Sequence, residues 1–224
     1  MPLFNTWKCG DARFAIWHVT ETLPELRLYL SDSRLPYDEE LGLLKSPTRK
    51  IEYTGTRVLL SLLCGEEKHI VHLPSGKPYC PDGNFHLTIS HTQGYVAVGI
   101  CPTAEVGIDI EYLSSRVLKV TDKFLSSEEI AQLPQSQEAK TIQALLAWSA
   151  KETAFKVLGE SGVDFSKHLH LAPFHTANKL MALHLTETRT AKRKAYTIYA
   201  MVNESFVCTW CISEPSPNPT SFSE

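Results

Sequence analysis

The stretch "VGIDIEYL" (residues 106–113) alternates apolar and other residues through its first half, the pattern of a half-buried strand. Val106, Ile108 and Ile110 fall on one face, which packs; Gly107, Asp109 and Glu111 fall on the other. Residues two apart on a strand are separated by roughly 6.6 Å, so two carboxylates at this spacing can converge on one cation. Hard oxygen donors favour Mg²⁺, which takes one or two carboxylates and fills its shell with water and substrate phosphate. Gly107 leaves room for a ligand to approach. Taken alone, Asp-x-Glu is equally the exposed face of an ordinary strand.

Downstream, "AKTIQALLAWSAKETAFKVLG" (139–159) reads as the clearest helix in the chain, ending at Gly159. At about 100° per residue, Ala144, Trp148, Lys151, Phe155 and Leu158 cluster on one face, and Glu152 and Lys156 lie one turn apart on the adjacent strip. An isolated Glu-x-x-x-Lys is a surface ion pair contributing about 0.3–0.5 kcal/mol. Beside a strand with two acids it supplies what phosphoryl chemistry needs. The third acid completes a metal shell or accepts a proton, and the lysine neutralises phosphate charge.

Upstream, "SPTRKIEYTGTRVLLSLLCG" (46–65) reads as a helix with Ser46 as cap, Pro47 in the first position and Gly65 at the exit. It carries Arg49 and Arg57 among apolar residues; the Arg57 head either snorkels or reaches an anion. "LPSGKPYCPDG" (73–83) is a Pro/Gly-rich loop with Lys77 in it. "HLTIS" (86–90) and "YVAVGI" (95–100) read as strands, with Ser90 and His91 at the end of the first. Neighbouring residues do not adopt triad geometry and no Gly-x-Ser-x-Gly surrounds Ser90, so hydroxyl and imidazole suit phosphate binding or a solvated turn. "LSSEEIAQL" (125–133) is a short helix. "HLHLAPF", "KLMALHLTETR", "AYTIYAMV" and "SFVCTWCI" read as a meander of strands. The fold class is α+β: two similar halves, each a long helix on antiparallel strands, at 1–105 and 106–212, with a Pro/Ser-rich disordered tail at 213–224.

The chain has 224 residues, 43% of them hydrophobic and 21% charged, with net charge −3 and pI near 6.3. This is an ordinary globular composition that argues against broad nucleic-acid binding. No run of about 18 apolar residues suggests a membrane span, and the N-terminus lacks a secretory pattern, so a cytoplasmic protein is expected. The six cysteines show no disulfide framework. Cys208 and Cys211 have ligand-like spacing, but i and i+3 of a strand point oppositely, so they read as packing residues. His168 and His170 are left as structural.

"GKP", "ISHT", "VGIDIE", "FLSSEE" and "WSAKETAFK", in this order over residues 46–165, resemble the 4′-phosphopantetheinyl transferases, and the length suits their larger, pseudo-dimeric type. The resemblance implies a monomer with a pseudo-twofold fold. It implies transfer of the 4′-phosphopantetheine arm of coenzyme A, as co-substrate, to a serine of an apo carrier protein, an acidic helical domain. Asp109, Glu111 and Glu152 would hold Mg²⁺; Glu152, Lys156 and Asp109 would carry the catalysis. Lys156 would contact the diphosphate, and Lys77, Ser90, His91 and Arg57 would bind the coenzyme. Glu129, or Glu128 one register away, matches a family glutamate assigned to the acceptor side. Arg116, Lys119 and Lys123, following the acidic strand, are candidates to receive the carrier. The basic cluster that some members carry before the first helix is thin here: Lys45, Arg49 and Lys50. The rival is a metal-dependent nuclease or phosphoesterase, which would place its second motif on a strand rather than a helix.

Overall fold

A computed structural model describes residues 3–176, 178–213 and 220–222. The chain divides into two compact units, Met1–Glu105 and Val106–Pro215, and the short strand near the C-terminus belongs with the first. Both are mixed α+β with antiparallel sheets. Among the described residues no helix is long and apolar enough to cross a membrane.

The first unit runs β1 (Leu3–Cys9), β2 (Ala12–His18), α1 (Leu23–Arg27), α2 (Tyr37–Leu43), α3 (Pro47–Cys64), β3 (Val71–His72), β4 (Pro78–Tyr79), β5 (His86–Thr92) and β6 (Tyr95–Cys101). Its sheet has the order β12-β1-β2-β6-β5, where β12 is Thr220–Phe222. The end caps of α3 follow the expected chemistry. The Ser46 hydroxyl accepts from the Arg49 amide, and Gly65 takes the left-handed conformation that a Cβ would disfavour. Val58, Leu59 and Leu63 of α3 pack with Trp17, Val96 and Val98 of the sheet. Within the tail expected to be disordered, residues 220–222 pair antiparallel with β1, whose outer edge presents backbone groups that need partners. The rest of that expectation, at 214–219 and 223–224, lies outside the described residues.

The second unit opens with the acidic strand, β7 (Val106–Tyr112). Two short 3₁₀ turns, Ser115–Lys119 and Thr121–Lys123, lead into α4 (Ser127–Ala131) and α5 (Gln137–Leu158). Then come α6 (Phe165–His168), β8 (Leu169–Leu171), β9 (Leu180–Glu187), β10 (Ala195–Val202) and β11 (Phe206–Ile212). The sheet order is β7-β11-β10-β9-β8, all antiparallel, so the first strand of the unit pairs with the last. Leu146, Ala150, Ala154 and Val157 of α5 pack with Leu183, Ile198 and Cys211 of the sheet, forming its apolar core.

The structure corrects the expected role of Gly107. The face of β7 bearing Gly107, Asp109 and Glu111 looks onto helix α5, not onto an open approach for a ligand. A Cβ built at Gly107 would lie 2.5 Å from the Thr153 carbonyl oxygen and 2.8 Å from Val157 Cγ2. Only glycine lets the helix backbone come this close. Gly107→Ala should therefore push helix and strand apart and lower stability by about 1–3 kcal/mol, the usual range for overpacking, measured by urea denaturation. An unchanged midpoint would mean that the contact is not close-packed.

Candidate active site

The helix–strand contact made possible by Gly107 is polar at its centre. Asp109 and Thr209 are partners across β7 and β11. The Ser149 hydroxyl lies 2.8 Å from Thr209 Oγ1 and donates to the Asp109 carbonyl at 3.4 Å. Thr153 Oγ1 lies 2.7 Å from the same threonine hydroxyl and donates to the Thr209 carbonyl at 3.2 Å. All three hydroxyl residues are fully buried. Each hydroxyl thus has a partner, as burial in a low dielectric requires. These bonds fix the rotation of α5 about its axis, and thereby the heights of Trp148, Glu152 and Lys156 above the strand.

Lys156 leans back along the helix and places its ammonium 2.9 Å from Asp109 Oδ1 and 2.8 Å from the Ile108 carbonyl. Asp109 is 5% exposed at its side chain and Lys156 25%, so the pair lies at the rim of the interior. About two turns earlier, the Trp148 indole N–H donates to Glu111 Oε1 at 2.7 Å. Glu152 lies between these two residues in the sequence of α5 and is half-buried. Burial, then the charge of Asp109, pushes the Glu111 carboxyl up to about 7; Glu152 adds to the rise and the Trp148 bond opposes it. Burial and Asp109 likewise raise Glu152, against Lys156. Three acids thus crowd one contact with the ammonium of Lys156.

Among the described residues no three His, Cys, Asp or Glu side chains are disposed together to hold a metal ion. The positive charge on Asp109 is Lys156. The donor set nevertheless fits a hard divalent cation in kind: these are carboxylate oxygens, raised at Glu111 and Glu152 first by burial and then by the charge of Asp109, and such a cation favours their ionised form.

The other expected site residues are placed as follows. In the first unit, Lys77 sits 2.5 Å from Glu105 Oε2, and Glu105 also faces His86 Nδ1 at 3.2 Å. Ser90 and His91 lie inside β5, which continues to Thr92, and as strand neighbours they point to opposite faces. The His91 ring lies 3.0 Å from Arg49 Nη1 and 3.5 Å from Glu52 Oε1. Arg57 is 7% exposed; its guanidinium is 2.9 Å from Glu40 Oε2 and 3.3 Å from the Tyr53 ring centroid. Tyr53 and His69 bind the same Glu40 carboxylate. In this structure the Arg57 guanidinium is thus held within its own unit by Glu40 and Tyr53.

In the second unit, Arg116, Lys119 and Lys123 are exposed on the 3₁₀ turns. Lys123 and Glu152 line one open groove whose other walls include Trp148, Phe155, Phe165 and Lys167. Glu129 faces inward instead. It closes a capping box with Ser126, accepts the Leu171 amide at 2.9 Å, and takes the ammonium of Lys151 at 2.6 Å. Glu128 is the exposed member of that pair. His168 and His170 do not share a strand face: His168 ends α6, where its Nδ1 accepts the Asp164 amide.

Two contacts were not foreseen, the Trp148–Glu111 bond and the burial of Lys151. The second had a signal in the sequence, because Lys151 falls on the apolar face of α5 between Trp148 and Phe155. Its ammonium is fully buried and donates to the Phe124 carbonyl at 2.7 Å, the Phe165 carbonyl at 3.1 Å and Glu129, which uses all three N–H groups. Burial lowers its pKa, and Glu129 opposes that. Lys151→Met should cost about 3–5 kcal/mol by stranding the Glu129 carboxylate, and the added change Glu129→Gln should recover part of the loss in the same denaturation assay. A single-variant loss below about 1 kcal/mol would refute the buried pair.

Comparison with known proteins supports the same part of the chain. Residues 105–211 match the family model described as the 4′-phosphopantetheinyl transferase superfamily. A 4′-phosphopantetheinyl transferase, psf-1, of Bacillus pumilus is 36% identical over 94 residues, covering 41% of this chain and 39% of the relative. The 4′-phosphopantetheinyl transferase gsp of Aneurinibacillus migulanus is 30% identical over 86 residues, covering 38% and 35%. The matched segments thus span under two fifths of either relative's length. The match takes in β7, α5 and β11, the elements that build the acidic contact, so residues 105–211 of this chain are similar to the 4′-phosphopantetheinyl transferase superfamily where that contact is built.

Proposed function

We propose that this protein transfers the 4′-phosphopantetheine arm of coenzyme A to a serine of an apo carrier protein and releases 3′,5′-ADP. The observation that carries the reading is the gathering of Asp109, Glu111, Glu152 and Lys156 at one helix–strand contact, inside the segment that matches the superfamily. The relatives named above are transferases of this arm. The nuclease or phosphoesterase alternative is not favoured, since the second motif stands on helix α5.

The carrier supplies the nucleophile, so the chain needs none of its own. The serine oxygen attacks the phosphorus that bears pantetheine, the bond from that phosphorus to the oxygen of the nucleotide breaks, and the hydroxyl proton leaves. Glu152, held above the ordinary carboxylate range, is the acceptor for that proton, directly or through a water it holds. Lys156 moves its charge from Asp109 to the diphosphate. Asp109, Glu111 and Glu152 would hold Mg²⁺, which supplies charge neutralisation on the diphosphate when bound. Lys77, Ser90 and His91 are assigned to the nucleotide end and Arg57 to the coenzyme as well, its guanidinium being held by Glu40 in the structure. Nucleotide contacts for residues 1–105, the metal site and catalytic helix for residues 106–212, the pseudo-twofold relation and a cytoplasmic monomer come with this reading.

The test is to incubate the protein with coenzyme A, Mg²⁺ and a panel of apo carriers, and to look by mass spectrometry for the phosphopantetheine increment on the carrier. A parallel incubation with DNA and Mg²⁺ separates the nuclease alternative. Asp109→Ala and Glu152→Ala should each lower turnover by at least about 10²-fold with the thermal midpoint retained; near-wild-type turnover in both would sink the assignment.

The carrier is acidic on this reading, and exposed Arg116, Lys119 and Lys123, the last of which lines the groove with Glu152, are its docking charges. Reversing all three to Glu should raise the KM for the carrier about tenfold or more, the scale of one to two interfacial charge contacts, while coenzyme A binding stays put. An unchanged carrier dependence would count against this surface.

A further inference from the structure

We propose that Trp148 is a positioning residue for Glu111, and that Lys151 sets Trp148 indirectly, by anchoring the main chain at the two phenylalanines that enclose the indole. Its bearing on metal binding rests on the function proposed above; the geometry does not.

The starting point is a mismatch of needs. Glu111 is the next-to-last residue of β7, where burial gives way to exposure. A glutamate there has three rotatable bonds, and a ligand-holding carboxylate has to be confined to one setting. The Trp148 N–H fixes it by taking Oε1 at 2.7 Å. An indole offers one donor in a rigid plane, so the carboxylate is held only as well as the ring.

The ring is held by two others. Phe124 meets it edge-on with centroids 5.1 Å apart, and Phe165 lies against it at 5.6 Å, itself braced by Phe155 at 5.6 Å. Phe124 and Phe165 come from separate segments, one before α4 and one opening α6. Their carbonyl oxygens are the two backbone acceptors of the Lys151 ammonium. Lys151 is three residues after Trp148 on α5. The helix that carries the indole therefore also grips the backbone of both residues that confine it. Lys151 touches neither the indole nor Glu111 in its hydrogen bonding; it acts through the phenylalanines. A packing role alone would not require the lysine to bind those two carbonyls among all that surround α5.

The decisive measurement needs neither metal nor substrate. In a ¹H–¹⁵N spectrum of the 224-residue chain there are four indole N–H signals to assign, and Trp148→Phe identifies one by its loss. That signal should exchange slowly with solvent in the wild type and at least about tenfold faster in Glu111→Ala, as expected for loss of one charge-assisted hydrogen bond. Lys151→Met should accelerate it comparably. Should that variant not fold, Phe165→Leu, which keeps the carbonyl and removes the ring, should do the same. Unchanged exchange in Glu111→Ala overturns the bond. Unchanged exchange in the lysine variant, or in Phe165→Leu when it stands in, overturns the indirect limb.

A second measurement tests the consequence. Mn²⁺ binding followed by electron paramagnetic resonance should weaken about 10–100-fold in Trp148→Phe, the scale for residues that orient metal ligands, with the thermal midpoint close to wild type. Equal affinity in the two proteins would overturn the positioning role. A wild type that takes up no Mn²⁺ would instead count against the metal reading, and the exchange data would still decide the bond.

Discussion

Everything in the second unit turns on the approach of α5 to β7 at Gly107. The Thr153 carbonyl occupies the volume a side chain would fill. Because the helix comes this close, three short hydroxyls, Ser149, Thr153 and Thr209, can bridge it to the sheet. Because the bridge fixes the helix in rotation, Lys156 reaches Asp109 and Trp148 reaches Glu111. A longer helix–sheet spacing would replace the hydroxyl bridge with an apolar layer and carry the acids out of reach of their partners.

The two lysines of α5 show how five residues of separation change a role. Lys151 is wholly buried and each of its N–H groups has an oxygen, so it acts as a fixed joint between segments. Lys156 is a quarter exposed and shares its ammonium between a carboxylate and one strand carbonyl. Removing the first from its partners would strand a buried carboxylate. The second can leave Asp109 for another anion at far smaller desolvation cost, which is what a group meeting a phosphate needs.

Much of this was legible in the residues. The caps at Ser46, Gly65 and Gly159 marked both long helices to within two residues, and alternation marked β5, β6 and β7. That Asp109, Glu111, Glu152 and Lys156 could meet was legible because it depends on spacing within one strand and one helix. The orientation of that face was not. Alternation says that Gly107, Asp109 and Glu111 share a side, but not that a helix covers it; that depends on packing between residues some forty positions apart. The partners of Arg57 and Glu129 were not legible for a related reason. A charged side chain reads as a surface group until its buried partner, Glu40 or Lys151, is brought to it by the fold.

The strand order carries a consequence for synthesis on the ribosome. β7 pairs in its sheet with β11, and β11 is the last strand of its unit to be made, about a hundred residues later. Until residues 206–212 have emerged, the acidic strand has no sheet neighbour and Ser149 and Thr153 have no Thr209 to bind. The contact thus assembles in one late step, when the returning strand slots between β7 and β10. A nascent or shortened chain that stops before β11 carries every acid and lysine of the constellation and still lacks the frame that brings them together.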